Sequence, residues 1–495
     1  MKKYWYIPTG NKVWFDAAKS LYTKGIACPV FWTGDDRHFK SAKKLFGNSV
    51  YSKQILVFYP EEINKIQYEA LDNEFFLSIN YSKAKDRCLK MMDRLDIYGN
   101  FSRLDRDAIF NKLAMWILNK FHETKPDALI CSENPHSHTH YLIYEICLYK
   151  NIEILKFNTW LPIPVLYGQN LRTGKRLIIR NKIEKRLSVS LEEYLIDFID
   201  KYLALKRTGE YTLPSISDQK NALKLRNKLF NFFKHGLLKQ IKEFWFQFRK
   251  YFSKNYYPIN PFKLGYLTRS RIKNIRERNL SKAFKYSQVN VDLTRKFVYY
   301  ALNFEPERTT NPDGDEFHDQ VIALTYLRKF LPLDYSIFVR EHPTQFLRIG
   351  KGSRGRSPLF YEVIQNLKGV FLVNQNIDSL ELIRRSSFTA SISGSVAFES
   401  AILGKRSLVF GDTWYEGCPN ITKWSDALLF EEFIVSPISN TEKIKKFLIE
   451  QKNLYCVAGC QNISAQKRFR NFLNKDFEKE ELVGVTQIIE NFLLN

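Results

Sequence analysis

The stretch SISGSVAFESAILGKRSLVFGD, residues 391–412, places Ser393, Gly394 and Ser395 ahead of a helical pattern that ends at Gly404, before an apolar strand. Glycine permits a tight turn with close backbone approach, and Ser395 is a good N-cap residue. The first amides of a helix have no internal acceptor and the helix dipole favours negative charge, so this segment reads as a phosphate site. Glu399 follows Ser395 by four residues, one too many for a capping box but on the same helical face. A carboxylate one turn above a phosphate is placed to accept ribose hydroxyls. A capped helix with a dipole-friendly glutamate is the plainer reading of the same residues.

Three further clusters carry usable chemistry. His342-Pro343 follows the strand-like YSIFVRE, and proline keeps its predecessor out of the helical region, so His342 leaves the sheet extended. It then projects at the carboxyl ends of the strands, where open α/β sheets bind ligands; a mere turn is the alternative. In the loop Glu305–Thr310, Arg308 with Thr309 and Thr310 could hold a diphosphate, because guanidinium matches phosphate geometry. A surface turn with Glu–Arg pairs fits that loop as well. In SENPHSHTHYLIYE, Glu133, His136, His138 and His140 fall within eight residues. No flanking cysteine or second cluster completes the roughly four ligands of a zinc site, so no metal is expected. We read Glu133, His136 and His138 as a polar patch facing an interdomain cleft, where one of them deprotonates an acceptor hydroxyl. Capping by Ser137 with surface histidines is the bland version.

Alternating strands and helices must position these groups. Strand at 3–7, helix at 12–24 and strand at 29–32 open the chain; strand at 128–131, helix at 138–149 and strand at 152–157 repeat the unit. A second series starts near Arg295 with RKFVYYALN and runs through FHDQVIALTYLRKFL, YSIFVRE and GVFLVNQ to RSLVFGD. The expected fold is α/β, with two Rossmann-like domains facing across a cleft. The chain divides into a first domain at 1–200, a basic helical insertion at 201–290, a second domain at 291–440 and helices packing across both domains at 441–495. Its 495 residues exceed what one core supports.

Charge is unevenly spread. Most of the formal net charge of +24 sits between Asn221 and Lys285, where Glu243 and Glu277 are the only acids. Phe230, Phe233, Leu237, Ile241, Trp245 and Phe248 recur there at helical spacing, as in a cationic amphipathic helix lying on anionic lipid. A core-facing helix with a solvated basic face is the alternative. The seven cysteines are scattered and lack any C-x-x-C pair, which fits a reducing cytosol. MKKYWYIPTG reaches Pro8 and Gly10 before an apolar run forms, so no secretory signal is expected, and no stretch is apolar enough to span a bilayer. The pI near 9.5 raises nucleic-acid binding as a rival, but charge confined to one segment argues against it.

YALNFEPERTTNPDGDEFHDQ, REHPTQF and SISGSVAFESAILGKRSLVFGDTWY, in that order, resemble the C-terminal half of capsule polysaccharide synthesis glycosyltransferases, the group that includes Kdo transferases. PHSHTHYLIYEICLYKNIEILKF is similar to the N-terminal half of related proteins. The resemblance covers about 170 residues. It implies a GT-B architecture, metal-independent and without cofactor, with a nucleotide-sugar donor, a CMP-sugar in first place, on the second domain. It also implies a glycan or lipid-linked acceptor on the first, at the inner face of the cytoplasmic membrane. His342 and Pro343 match the family's phosphate-contacting pair, Ser393 to Ser395 its donor-binding turn, and Glu399 the glutamate of that helix. The acidic E-D-G-F-x-R-S segment of the Kdo members has no counterpart; NTWLPIPVLYG stands after Phe157 instead, so the Kdo assignment and its catalytic acid are not carried over. A nucleotide-sugar 2-epimerase and a teichoic-type glycerophosphotransferase are the rival enzymes.

Overall fold

The computed structural model describes residues 1–35, 37–47, 50–52, 73–96, 101–160, 163–179, 185–208, 266–346 and 352–494. Strands β1 (Lys2–Ile7), β2 (Ala27–Thr33), β3 (Val50–Ser52), β4 (Ala128–Cys131), β5 (Glu153–Thr159) and β6 (Val165–Asn170) belong to the first sheet. The second comprises β7 (Phe297–Ala301), β8 (Ser336–Arg340), β9 (Val370–Leu372), β10 (Phe388–Ser391), β11 (Ser407–Val409) and β12 (Ile421–Lys423). A last strand, β13 (Cys456–Ala458), returns to the first sheet.

The first sheet runs β13-β6-β5-β4-β1-β2-β3 and the second β12-β11-β10-β7-β8-β9. All pairs of the second are parallel, as are those from β5 to β3 in the first; β6 and β13 are antiparallel additions at its edge. Parallel strands covered on both faces need continuous apolar runs, and ALIC of β4 and the first four residues of FVYYA in β7 are buried throughout. Each sheet begins in its middle, at β1 and β7, and winds outward in both directions. Two Rossmann-like domains result, and the strand order reverses between β1 and β4 and again between β7 and β10. At such a reversal the outgoing connections part to opposite faces and leave a crevice at the carboxyl ends.

The helices join these layers. Helix Tyr266–Ser287 sends Leu280 and Phe284 into the core of the second domain, so the end of the basic stretch is a structural part of that domain. The proposed lipid-facing stripe from Phe230 to Phe248 lies outside the described residues. Helix Lys185–Thr208 packs with helix Thr441–Tyr455, and its Leu191, Leu195 and Ile199 share a cluster with Phe398, Val409 and Tyr415 of the second domain. The tail beyond Thr441 is not purely helical: after β13, helix Lys475–Leu494 lies against helix Lys12–Thr23 of the first domain. Helices Ile79–Leu95 and Arg103–Thr124 cover helix His138–Tyr149, leaving nine of its twelve residues buried. No helix among the described residues is long and apolar enough to cross a membrane.

The returning tail is tied to the loop after β1 by Glu481, which is 3% exposed. Its Oε1 accepts from the Cys460 amide at 2.6 Å and from Asn11 Nδ2 at 3.3 Å. Burial pushes the carboxyl up to about 7, more than those hydrogen bonds pull it down. The folded state therefore holds this proton more tightly than the unfolded chain. The associated stability is full below the unfolded carboxylate value and is lost as pH rises through about 7. Glu481→Gln keeps an acceptor oxygen without the charge, and is expected to stabilise the protein at pH 8.5 by on the order of 1–3 kcal/mol, with a smaller gain at pH 5.5. Urea unfolding at both values checks this, and an equal difference at each would contradict it.

Candidate functional site

The crevice between β7 and β10 is built by the segments leaving β7, β10 and β11. After β7, the Asn303 amide donates to Gln320 Oε1 at 2.7 Å and Gln320 Nε2 returns to the Asn303 carbonyl at 3.1 Å. Gln320 opens helix Gln320–Phe330, whose N-cap is Asp319, so both ends of the long intervening loop are fixed together. After β10 the N-cap is Gly394 rather than Ser395, with φ −70° and ψ 150°. Ser395 is the first helical residue, and its hydroxyl donates to Glu399 Oε1 at 3.0 Å. The Ser393 hydroxyl donates to the Thr309 carbonyl at 2.5 Å, clasping the two loops. Gly411, after β11, completes the packing: a Cβ there would stand 2.5 Å from the Asp313 carbonyl and 2.9 Å from Gly314 Cα.

The first domain closes the other side. Lys156, Asn158 and Thr159 of β5 and Tyr167 and Gln169 of β6 face Arg308, Thr309, Ser393, Ser395 and the run Asp412–Glu416 across a cavity of about 260 Å³. The Trp160 indole donates to the Trp414 carbonyl at 2.7 Å, and Tyr415 donates to the Gly394 carbonyl at 2.6 Å, holding that wall in place.

Charges are arranged in opposed pairs. Lys156 is only 3% exposed, and its Nζ lies 3.9 Å from Asp412 Oδ2; Lys423 holds Asp412 Oδ1 at 2.7 Å. Burial alone would raise the Asp412 pKa, but the two ammonium groups outweigh it and keep the carboxyl below its ordinary value. Arg308 Nε is 3.3 Å from Asp313 Oδ2. Burial works to lower the pKa of this guanidinium, but Asp313, Glu133 and Glu307 around it outweigh that and hold it above its ordinary value. The cavity thus offers fixed cations for a phosphate, with hydroxyls, amides and carboxylates suited to sugar hydroxyls.

The structure brings together Arg308, Thr309, Ser393 and Ser395 as cavity walls. Glu133 stands in the first domain's own crevice, near enough to act electrostatically on Arg308. Its Oε1 is 3.7 Å from His136 Nδ1, and Oε2 accepts from Asn462 at 3.4 Å. Asn134 reaches across to Asp313. His138 does not belong with them: it is 1% exposed, and its carbonyl accepts from the Cys88 thiol. The first six residues of helix His138–Tyr149 are all buried, so its start turns inward rather than to the cleft. His140 is also buried, and burial pushes its pKa down to about 3. His342 and Pro343 sit at the end of β8 as expected, but not in this cavity; His342 Nδ1 is turned back to the Thr344 hydroxyl at 2.9 Å. Gly394 and Glu399 lie behind the wall, the latter 9% exposed. Among the described residues no cluster of three His, Cys, Asp or Glu could hold a metal.

Lys156 and Asp412 are the residues that sequence reading passed over. A lysine inside EILKFNT, a strand with four consecutive buried positions, was the available signal.

No family model matches the chain, and no curated protein does. Among solved structures, it is similar to Thermosulfurimonas dismutans KpsC, a beta Kdo 2,7 transferase. Identity is 16% and the TM-score 0.21, over 37% of this chain and 62% of that one. UDP-GlcNAc 2-epimerase from Neisseria meningitidis matches over 100% of both chains, at 12% identity and a TM-score of 0.22. The wall teichoic acid polymerase TagF matches over 46% of this chain and 48% of its own, at 16% identity and a TM-score of 0.18. Likeness of this degree carries no argument about activity; the fold is read from the two sheets themselves.

The tight seat of the Asp313–Gly314 backbone on Gly411 has a measurable consequence. Gly411→Ala is expected to destabilise the protein by about 1–3 kcal/mol, because the obstacle is main chain that cannot rotate away. Urea unfolding measures it, and wild-type stability in this variant would show that the loop is not held there.

Proposed function

We propose that the chain is a metal-independent glycosyltransferase of GT-B type. It moves a sugar from a nucleotide-sugar, a CMP-sugar in first place, to a glycan or lipid-linked acceptor of bacterial surface polysaccharide. The work is done at the inner face of the cytoplasmic membrane. The observation that carries the reading is the interdomain cavity in which Lys156 of one domain and Arg308 of the other face a single space edged by hydroxyls. A departing nucleotide phosphate develops charge as the glycosidic bond breaks, and fixed cations in a water-poor site stabilise it without reorganising. Arg308 and Lys156 take that part, with Thr309, Ser395 and the first amides of helix Ser395–Ile402 orienting the phosphates. Glu399 supports this wall from behind by holding the Ser395 hydroxyl. Glu133, with His136 beside it, is the base for the acceptor hydroxyl. Closure of two domains over one cavity excludes water, which limits hydrolysis of the donor.

A thermal-shift panel of CMP-, UDP-, GDP- and dTDP-sugars tests this, since a ligand that binds only the folded state raises the melting temperature. One nucleotide class is expected to stabilise the wild type. Arg308→Gln and Glu399→Ala are expected to weaken that ligand roughly tenfold or more, with the unliganded melting temperature little changed. No stabilisation by any member of the panel, or an affinity indifferent to Arg308→Gln, would remove the basis of the proposal.

A further inference from the structure

A second cavity, of about 350 Å³, opens between the same two domains and shares no wall residue with the first. One wall is helix Ile79–Leu95, which contributes Lys90, Asp93 and Arg94. The facing wall comes from the loop after β7 and from the turn carrying Arg354 and Arg356.

The cations and acids here are not equally satisfied. Arg94 donates to main-chain carbonyls, those of His136 and Asn311. Arg354 donates to the carbonyls of Asp93 and Arg94, and its buried Nε meets no acceptor among the described residues. Neither guanidinium, nor the ammonium of Lys90, has a carboxylate within 4.0 Å among the described residues. The acids of the walls are otherwise employed: Asp93 is bound to Arg106, Glu305 accepts from Gln320 and lies 3.8 Å from Arg356, and Asp319 caps its helix. Burial accordingly pushes Arg94 down to about 10 and Arg354 in the same direction. Glu305, Glu307 and Asp313 act on Arg94, and Glu277, Asp93 and Asp96 on Arg354, without a contact within salt-bridge distance among the described residues. A partly desolvated guanidinium whose hydrogen bonds go to carbonyls lacks the planar anion that its donors match best.

We propose that this cavity is an oxyanion site, in which Lys90, Arg94 and Arg354 take a phosphate or carboxylate group of a ligand that touches both domains. Two of these cations belong to the first domain and one to the second, so the bound anion ties the domains together. It acts beside contacts already made there, His318 Nε2 to Asp86 at 2.7 Å and Asn311 Nδ2 to the Arg87 carbonyl at 3.0 Å. Glu307 opposes the anion, as do the other wall carboxylates, Asp93, Glu305 and Asp319. A lipid-linked diphosphate and a free phosphorylated compound both offer the required chemistry. The site stands on these charges and not on the transfer reading.

Titration calorimetry of the full chain with inorganic pyrophosphate tests it, in an Arg308→Gln background that disables the first cavity. Binding is expected to persist there and to weaken roughly tenfold when Lys90→Gln or Arg354→Gln is added, with Arg354→Lys recovering part of the loss. Glu307→Gln is expected to tighten it. Lys90 makes no ion pair among the described residues, so its variant keeps the test open even where Arg354→Gln disturbs folding. Farnesyl diphosphate in detergent separates the sources: tighter binding than pyrophosphate assigns the site to a lipid headgroup, and equal binding to a free phosphate compound. Absence of pyrophosphate binding, or binding unmoved by both Lys90→Gln and Arg354→Gln, overturns the proposal. Nucleotide affinity in the first cavity can fail or hold independently of either result.

Discussion

The loop from Asn303 to Asp319 has to satisfy its own polar backbone while lying between two domains, and much of the interdomain chemistry follows from how it does so. Gln320 anchors its beginning, the Ser393 hydroxyl takes its Thr309 carbonyl, and the Asp412 amide takes its Asp313 carbonyl at 2.8 Å. With the main chain pinned to the ends of β7, β10 and β11, its side chains are free to face outward. Arg308 and Asp313 turn to one cavity, and Glu305, Glu307 and Asn311 to the other. An unpaired buried carbonyl costs as much as a hydrogen bond contributes, so this loop holds its shape only while β10 and β11 end where they do.

A division of charge accompanies that geometry. In the first cavity each acid is matched by a cation: Asp412 by Lys156 and Lys423, Glu416 by Lys423, and Asp313 by Arg308. Neutral pairs of this sort keep their charges fixed while leaving hydrogen-bonding capacity toward the space between them. In the second, Arg356 is paired with Glu305 and Glu341, while the hydrogen bonds of Arg94 and Arg354 go to carbonyls. Two spaces formed by the same pair of domains thus present different electrostatics, because one is edged by strand ends and the other by a helix side.

The parts of this arrangement that sequence reading reached are those governed by near neighbours. ALIC and FVYYA are strands because buried parallel strands need unbroken apolar runs, and the turn at Ser393–Gly394 stands out by its small residues before a helical pattern. Arg308 and Thr309 could be chosen because they closely follow a strand. His138 lies inside because capping residues mark where a helix begins and say nothing about which side is covered; helix His138–Tyr149 is apolar enough to have nine of its twelve residues buried. The capping role given to Ser395 slipped by one residue, since glycine and serine are both accepted at that position. His342 was placed correctly along the chain, yet its ring turned to Thr344, a choice that a dipeptide motif does not encode.

By itself the sequence determined the two α/β halves, the strand ends from which loops must emerge, and the residue types carried there, because hydrophobic period and turn chemistry act over a few residues. Only the tertiary structure decided that Lys156 would meet Asp412, that helix Tyr266–Ser287 would complete the second core, and that Lys90 and Arg94 would face Arg354. Those pairings join segments far apart in the chain. They are settled by which apolar faces pack together, and the polar groups are carried to their partners as a consequence.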